Sequence, residues 1–157
     1  MHAGHEDNRG RSLGFHAAGQ PITKGSVKPY MGARGHAIPD DPRLAAWEQT
    51  MAWSAKAAMA RAGLRPYDCP VRVSAEFRLP CPASPAFRVP ATAADKDKGG
   101  GDLDKLLRAL GDALQSAGVV RDDSRISDYR DCMKRYADDR HPMGVTVTVT
   151  PLGKEEQ

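Results

Sequence analysis

The sequence predicts a single small α/β domain with a mixed four-stranded sheet and two main helices. Three observations lead to this fold class. The 157 residues suffice for one domain with one core. Some stretches alternate apolar and polar residues, as half-buried strands do, while others repeat apolar residues at helical spacing. The predicted order of elements is strand, helix, strand, helix, strand, strand.

The strand predictions rest on period-two alternation. Residues 70–79, PVRVSAEFRL, alternate cleanly, and residues 144–152, GVTVTVTPL, alternate Val with Thr. Residues 13–18, LGFHAA, are predicted to form a short first strand. Residues 125–136, RISDYRDCMKRY, are predicted to form one further strand, although their period is ambiguous.

The helix predictions rest on apolar spacing and on the glycines that follow. Residues 44–62 are rich in Ala, contain neither Gly nor Pro, and precede Gly63. Residues 103–117 precede Gly118 and carry leucines on one face. These leucines are Leu103, Leu106, Leu107, Leu110 and Leu114.

The polar ends and the long loops define the predicted domain organisation. Residues 1–12 are expected to be a disordered tail, residues 13–152 the folded domain, and residues 153–157 a solvated tail. Two stretches rich in Gly and Pro, residues 19–42 and 80–101, are expected to be long loops. The sequence has no apolar run that could span a membrane and no apolar core of a signal peptide, so we expect a cytoplasmic protein without a membrane partner.

Charge is distributed unevenly, although the net charge is only +3. Residues 1–94 carry 12 Lys and Arg against 7 Asp and Glu, whereas residues 95–140 carry 10 against 11, all of the latter Asp. A basic region beside an Asp cluster suits a protein that holds phosphates and a cation together. On charge alone, an ordinary solvated surface explains the balance better. The three cysteines are scattered, which predicts neither a disulfide framework nor a zinc site.

An Asp-rich segment carries the candidate chemistry. Asp102 and Asp104 flank Leu103, and an extended D-x-D would turn both carboxylates to one side and Leu103 to the core. Asp104 is also a plausible helix N-cap. Asp122 and Asp123 follow the helix, and a returning chain could bring Asp123 back beside the D-x-D. Three convergent carboxylates would bind Mg²⁺, with Mn²⁺ as a substitute. From the pattern alone, caps and turns explain such acids more often than metal ligands do.

The stretch GDLDKLLRALGDALQSAGVVRDDSRISDYR, residues 101–130, resembles the core motif of the RusA family of Holliday junction resolvases. That motif reads roughly D-L-D-N-L-x-K, a helix ending D-A-L, a short A-G turn and then D-D. The likeness extends in outline over residues 15–151, including a G-x-P-x-x-K-G segment. It implies a homodimeric, Mg²⁺-dependent α/β endonuclease that makes paired nicks in four-way DNA junctions during DNA recombination and repair. The essential carboxylates of the family map onto Asp102, Asp104 and Asp123, and Asp122 matches a less critical acidic neighbour.

Two positions depart from the family pattern. Lys105 stands where the family has Asn, and Arg108 stands where it has its catalytic Lys. Arg108 lies one helical turn from Asp104 and could contact a phosphate through two nitrogens and stabilise developing charge. It cannot donate a proton near neutral pH. Asp112 lies on the same face as Arg108, and we interpret the two as a surface ion pair in preference to a metal role for Asp112.

Six cations are candidate DNA contacts: Lys24, Lys28, Arg34, Lys96, Lys98 and Lys105. Two rival functions stay open. A non-catalytic protein of the same fold would bind junctions without cutting them, and would do so in EDTA. A metal-dependent hydrolase of small phosphates would cleave free nucleotides, although long basic loops argue against it. Of the two tryptophans, Trp47 is predicted to be in the core and Trp53 at a dimer interface or the surface.

Overall fold

The computed structural model describes residues 8, 10–25, 41–91 and 101–153, and within them a mixed five-stranded sheet is covered by two helices. In chain order the elements are β1 (Leu13–Ala18), α1 (Leu44–Ala62), β2 (Val71–Leu79), α2 (Leu103–Ser116), a 3-10 turn (Asp123–Arg125), β3 (Ile126–Tyr129), β4 (Met133–Tyr136) and β5 (Gly144–Pro151).

The three strands predicted from clean alternation are confirmed as β1, β2 and β5. β5 lies between β1 and β2 and is antiparallel to both. Along β2, every apolar side chain is buried and every intervening polar one is half-buried. The period of two therefore sorts core from surface on this strand, because successive side chains point to opposite faces.

The single strand predicted over residues 125–136 is wrong in one respect, because the structure divides it into β3 and β4. Asp131, between them, has a left-handed backbone with φ of 54°. Asp is one of the few residues besides Gly that adopt this conformation. Both short strands run parallel to β2 and pair with successive parts of it. The sheet therefore has five strands where the sequence predicted four.

Both predicted helices are confirmed. α1 ends at Gly63, whose φ of 65° only Gly adopts without strain, and it packs against β1 and α2. Trp47 is buried as predicted, and Trp53 is 70% exposed. Neither helix of the described residues combines the length and the apolarity that a membrane span needs. The leucine face of α2 is buried against the core, with Leu106, Leu110 and Leu114 at its centre.

Contacts of the fold extend to residues before residue 13, where the folded domain was predicted to begin. Asn8 is buried, and its side-chain oxygen accepts a hydrogen bond of 2.9 Å from the backbone amide of Arg65. The hydroxyl of Tyr67 donates to the carbonyl of Arg11 at 2.7 Å. These bonds tie Asn8 and Arg11 to the segment that follows α1. Residues 1–7 and 9 lie outside the described residues.

Candidate active site

The D-x-D motif spans the first residues of α2. Asp102 is extended (φ −72°, ψ 137°) and immediately precedes the helix, and its carbonyl accepts from the amide of Leu106 at 3.0 Å. Asp104 is already inside the first turn and exposed. The expectation of an extended D-x-D with Asp104 as N-cap is therefore wrong, because the helix begins at Leu103. Leu103 packs against the core as predicted.

Asp102 has a cation beside it. Its carboxylate lies 3.3 Å from the ammonium of Lys105, one turn into the helix. The side chain of Asp102 accepts no capping hydrogen bond from the helix. The start of α2 thus presents two carboxylates and one ammonium group at a half-exposed position.

The segment that follows β1 packs on this helix start. A Cβ atom on Gly101 would lie 2.3 Å from Cγ2 of Thr23, so the close approach of the two segments requires Gly at this position. The amide of Lys24 donates to the carbonyl of Lys105 at 3.2 Å. From the other side, the ammonium of Lys134 on β4 donates to the carbonyl of Gly101 at 2.9 Å. The side chains of Thr23 and Lys134 therefore hold the residue that precedes Asp102.

Lys24 and Asp112 form an ion pair across the face of α2. From the sequence, Arg108 was the expected partner of Asp112. The structure adds a partner 88 residues away in the chain. Lys24 was predicted only as a DNA contact. In the structure it lines the same cleft beside α2 as the candidate catalytic Arg108.

The second acidic pair lies in the 3-10 turn. Asp122 precedes it, and its carboxylate accepts from the amide of Ser124 at 2.8 Å. This hydrogen bond lowers the pKa of Asp122 below its usual range. The amide of Asp123 donates to the side-chain oxygen of Gln115 at 3.1 Å, which ties the turn back to the end of α2. Asp122 thus shapes the turn that places Asp123.

An open cleft of about 210 Å³ lies where this turn meets α2. A Cβ atom on Gly111 would lie 3.9 Å from Cβ of Asp123 and 3.8 Å from the hydroxyl of Tyr129, so the small residue brings the turn close to the helix. The cleft combines two cations, two carboxylates and a phenol. Its lining consists of Lys24, Leu107, Arg108, Gly111, Asp112, Asp123, Ile126 and Tyr129.

Tyr129 is a cleft residue that sequence reasoning missed, because no local pattern distinguishes it from an ordinary strand residue. Burial raises the pKa of its hydroxyl above the usual range, and the charges of Cys132, Asp123 and Asp112 add to the shift. The phenol therefore stays protonated at neutral pH and offers a hydrogen-bond donor to the cleft. Lys134 was also missed, since its partner is a backbone carbonyl on a distant segment.

The carboxylates do not form the three-acid cluster that the sequence suggested. Among the described residues, no group of three or more His, Cys, Asp or Glu side chains is arranged to hold a metal ion. Asp123 lies against Gly111, which is seven residues beyond Asp104 and so about 10 Å further along the helix axis. Asp104 shares its helix face with Arg108. The metal role of Asp102, Asp104 and Asp123 stays a prediction.

Four of the predicted DNA contacts lie outside the described residues, namely Lys28, Arg34, Lys96 and Lys98. The other two, Lys24 and Lys105, both lie at the start of α2 or beside it. They are joined there by the hydrogen bond between the amide of Lys24 and the carbonyl of Lys105. These two predicted DNA contacts therefore lie next to the candidate carboxylates at the start of α2.

Comparison with known families supports the resemblance found in the sequence. Residues 19–150, which include every predicted site residue, match the family model described as Endodeoxyribonuclease RusA. The match covers most of the chain and runs from the end of β1 to the last residues of β5. Comparison with curated proteins gave no match.

Proposed function

The chain belongs to the RusA endodeoxyribonuclease family, and we propose that it cuts four-way DNA junctions with Mg²⁺ as its metal cofactor and acts in DNA recombination and repair. The observation that carries this proposal is the cleft on α2. There Asp123 and Arg108, two of the residues singled out by the family motif, come together from separate segments of the chain. The cleft thus offers both an acidic and a cationic group to a phosphate.

The donor set suits Mg²⁺ in its chemistry, because Mg²⁺ prefers oxygen ligands and often uses one or two carboxylates together with substrate phosphates. A complete cluster of protein ligands is therefore not required before DNA binds. The residues that would hold the ion are Asp102, Asp104 and Asp123, with Asp122 as their acidic neighbour; Mn²⁺ has the same ligand preference and would substitute. When bound, the metal would activate water and neutralise charge on the phosphate.

Arg108 supplies a fixed positive charge to the reaction. It is exposed on the face of α2 that carries Asp104 and lines the cleft with Asp123. A guanidinium can donate two parallel hydrogen bonds to phosphate oxygens and stabilise the charge that builds up on them. In the hydrolysis, a water oxygen bonds to phosphorus and one ester P–O bond breaks. The products are a phosphate monoester end and a hydroxyl end, and protons are exchanged with solvent, since Arg108 keeps its own.

DNA binding is assigned to the six basic side chains that the sequence singled out. Contacts from Lys and Arg to phosphates are independent of sequence and weaken steeply as salt rises. We assign this role to Lys24, Lys28, Arg34, Lys96, Lys98 and Lys105. A homodimer would present two equivalent sites to one junction, because a twofold axis relates its subunits, and two opposed nicks are what symmetric resolution needs.

The test is a cleavage assay on a synthetic four-way junction, with Mg²⁺ and with EDTA, on wild type and Asp104→Asn. Paired symmetric nicks should appear in Mg²⁺ only, and the variant should lose activity by about a hundredfold or more while its affinity for the junction is kept. Asp139→Asn is the matched control, because Asp139 is an exposed Asp in the turn between β4 and β5. Full activity in Asp104→Asn would refute the site assignment.

A second candidate is a protein of the same fold that binds junctions without cutting them. Two observations favour it: the replacement of the family Lys by Arg108, and the absence of a three-acid cluster among the described residues. The same assay separates the two, since this candidate predicts tight junction binding in EDTA and no nicks with Mg²⁺ or Mn²⁺.

A further inference from the structure

We infer that Lys24 is a second active-site cation whose ammonium contacts the phosphate that is cut, and that Asp112 positions it there. The inference rests on the proposed function and extends it. It places Lys24 at the phosphate that is cut, whereas a general DNA contact could bind any phosphate of the DNA backbone. Asp112, by contrast, acts through Lys24.

The backbone of Lys24 is fixed without help from its side chain. Its amide donates to the carbonyl of Lys105, and the neighbouring Thr23 packs on Gly101 at the start of α2. These contacts already hold the segment against the helix. The ion pair with Asp112 is therefore not needed to attach the segment to the helix.

The charged groups of the pair are open to a ligand. The side chains of Lys24 and Asp112 are 33% and 31% exposed, and both line the cleft that contains Arg108 and Asp123. An ammonium has three donor hydrogens, so Lys24 can keep Asp112 as a partner and donate another hydrogen bond to a phosphate oxygen. A partly exposed ion pair contributes little to stability, so a purely structural role gives no strong reason for placing it in a cleft.

The arrangement brings positive charge to a phosphate from two sides. Arg108 approaches from α2, and Lys24 approaches from the segment that follows β1. Asp123 in the same cleft would repel a phosphate, and two cations offset that repulsion. Asp112 limits the conformers of the long Lys24 side chain, so that less rotamer freedom is lost when the phosphate binds.

The first experiment separates rate from affinity. Single-turnover nicking at saturating protein and the Kd for the junction in EDTA are measured for Lys24→Met, Lys24→Arg, Asp112→Asn and the control Lys56→Met. Lys56 is exposed on α1 and does not line the cleft. Lys24→Met should lower the rate at least about tenfold while the Kd changes by less than about threefold.

The other variants distinguish positioning from a structural role. Lys24→Arg should restore part of the rate, and Asp112→Asn should lower it by a smaller factor than Lys24→Met with an unchanged melting temperature. Lys56→Met should behave as wild type. Lys24→Met would overturn the inference if it raised the Kd and left the rate at saturation unchanged, because Lys24 would then be an ordinary backbone contact.

A second readout does not depend on cleavage. Lysine acetylation is measured by mass spectrometry in EDTA, with and without the junction. Lys24 should be protected by the DNA, whereas Lys56 should react equally in both. Equal reactivity of Lys24 would overturn the inference even if the wild type cuts DNA. A wild type that makes no nicks would refute the proposed function, and protection of Lys24 would still support its contact with phosphate.

Discussion

The two edges of the central strand β2 differ in how the sequence specifies them. On one edge, β5 pairs with β2 in continuous antiparallel register from Val71 to Arg78. On the other edge, the parallel strands β3 and β4 are short, half-buried and separated by a left-handed residue. The first edge is held by apolar burial, and the second adds polar contacts such as the 2.7 Å ion pair of Arg72 and Asp128.

The difference shows that the apolar pattern of the sequence specifies the edge shared with β5, whereas individual residues specify the edge shared with β3 and β4. Apolar burial is spread over many side chains, so the edge that β2 shares with β5 tolerates the exchange of one apolar side chain for another of similar volume. The polar side of the molecule depends on single contacts, such as Thr23 on Gly101 and Lys134 on the carbonyl of Gly101. That side also carries the cleft, because charged groups must stay reachable to act on a phosphate.

The largest expected effect is a loss of stability when a side chain is truncated in the apolar core around β2. Phe77 on β2 is fully buried, and Phe77→Ala should lower the free energy of unfolding by about 3–5 kcal/mol, since it removes apolar contacts and leaves a cavity. Urea unfolding measures the loss. Protein that is still folded should keep the junction affinity of wild type. A loss below about 1 kcal/mol would show that this edge is not held by its core.

The next largest effect tests the contact between Gly101 and Thr23 at the start of α2. Gly101→Ala would place Cβ 2.3 Å from Cγ2 of Thr23, so the segment that carries Lys24 must shift, at a cost of about 1–3 kcal/mol. Urea unfolding and the nicking rate should both report the change. Thr23→Ser removes the clashing methyl group, so the double variant should recover most of the stability. Additive losses in the double-mutant cycle would mean that the two residues do not interact.

A smaller effect concerns the break between β3 and β4. Asp131 has φ of 54°, so Asp131→Gly should change the free energy of unfolding by no more than about 1 kcal/mol, whereas Asp131→Val should destabilise by roughly 1–2 kcal/mol. Thermal and urea unfolding measure both variants. If Val were accepted without loss, the two short strands would not depend on a left-handed residue to separate them.

The smallest effect depends on pH. The amide of Ser124 lowers the pKa of Asp122, so the ionised carboxylate stabilises the fold above the pKa of an unfolded Asp. This stabilisation is lost as pH falls through the lowered value. Asp122→Ala should therefore be slightly less stable than wild type at neutral pH, and the two should converge in strong acid. A difference that stays constant from neutral to strongly acidic pH would exclude the carboxylate as its cause.

The fold was largely predictable because apolar periodicity marks its elements. The bounds of β1 and α1 match the predicted ranges, and α2 differs by one residue at its end. The division at Asp131 was not predictable, since it depends on one backbone conformation within a stretch of ambiguous period. Periodicity describes faces of elements, and it carries no information about a single left-handed residue.

The site was predictable as a set of residues and not as a geometry. The motif selected Arg108 and Asp123, which share the cleft. It did not reveal the pairing of Lys24 with Asp112, because the two are 88 residues apart and their segments are brought together by tertiary contacts such as the packing of Thr23 on Gly101. Contacts between distant segments leave no local trace in the sequence.

The position of β5 has a consequence for the order in which the protein is assembled. β5 lies between β1 and β2, so β1 has no partner in the sheet, and β2 has only the short strands β3 and β4, until residues 144–151 have been synthesised. Pairings between such distant segments form late, because the entropy of closing long loops must be overcome first. A growing chain therefore lacks the complete sheet on which the helices pack. Lys24 follows β1, whereas the other residues of the cleft lie on α2, in the 3-10 turn and on β3. The two parts of the cleft therefore belong to parts of the sheet that are joined only by β5, the last strand to be synthesised.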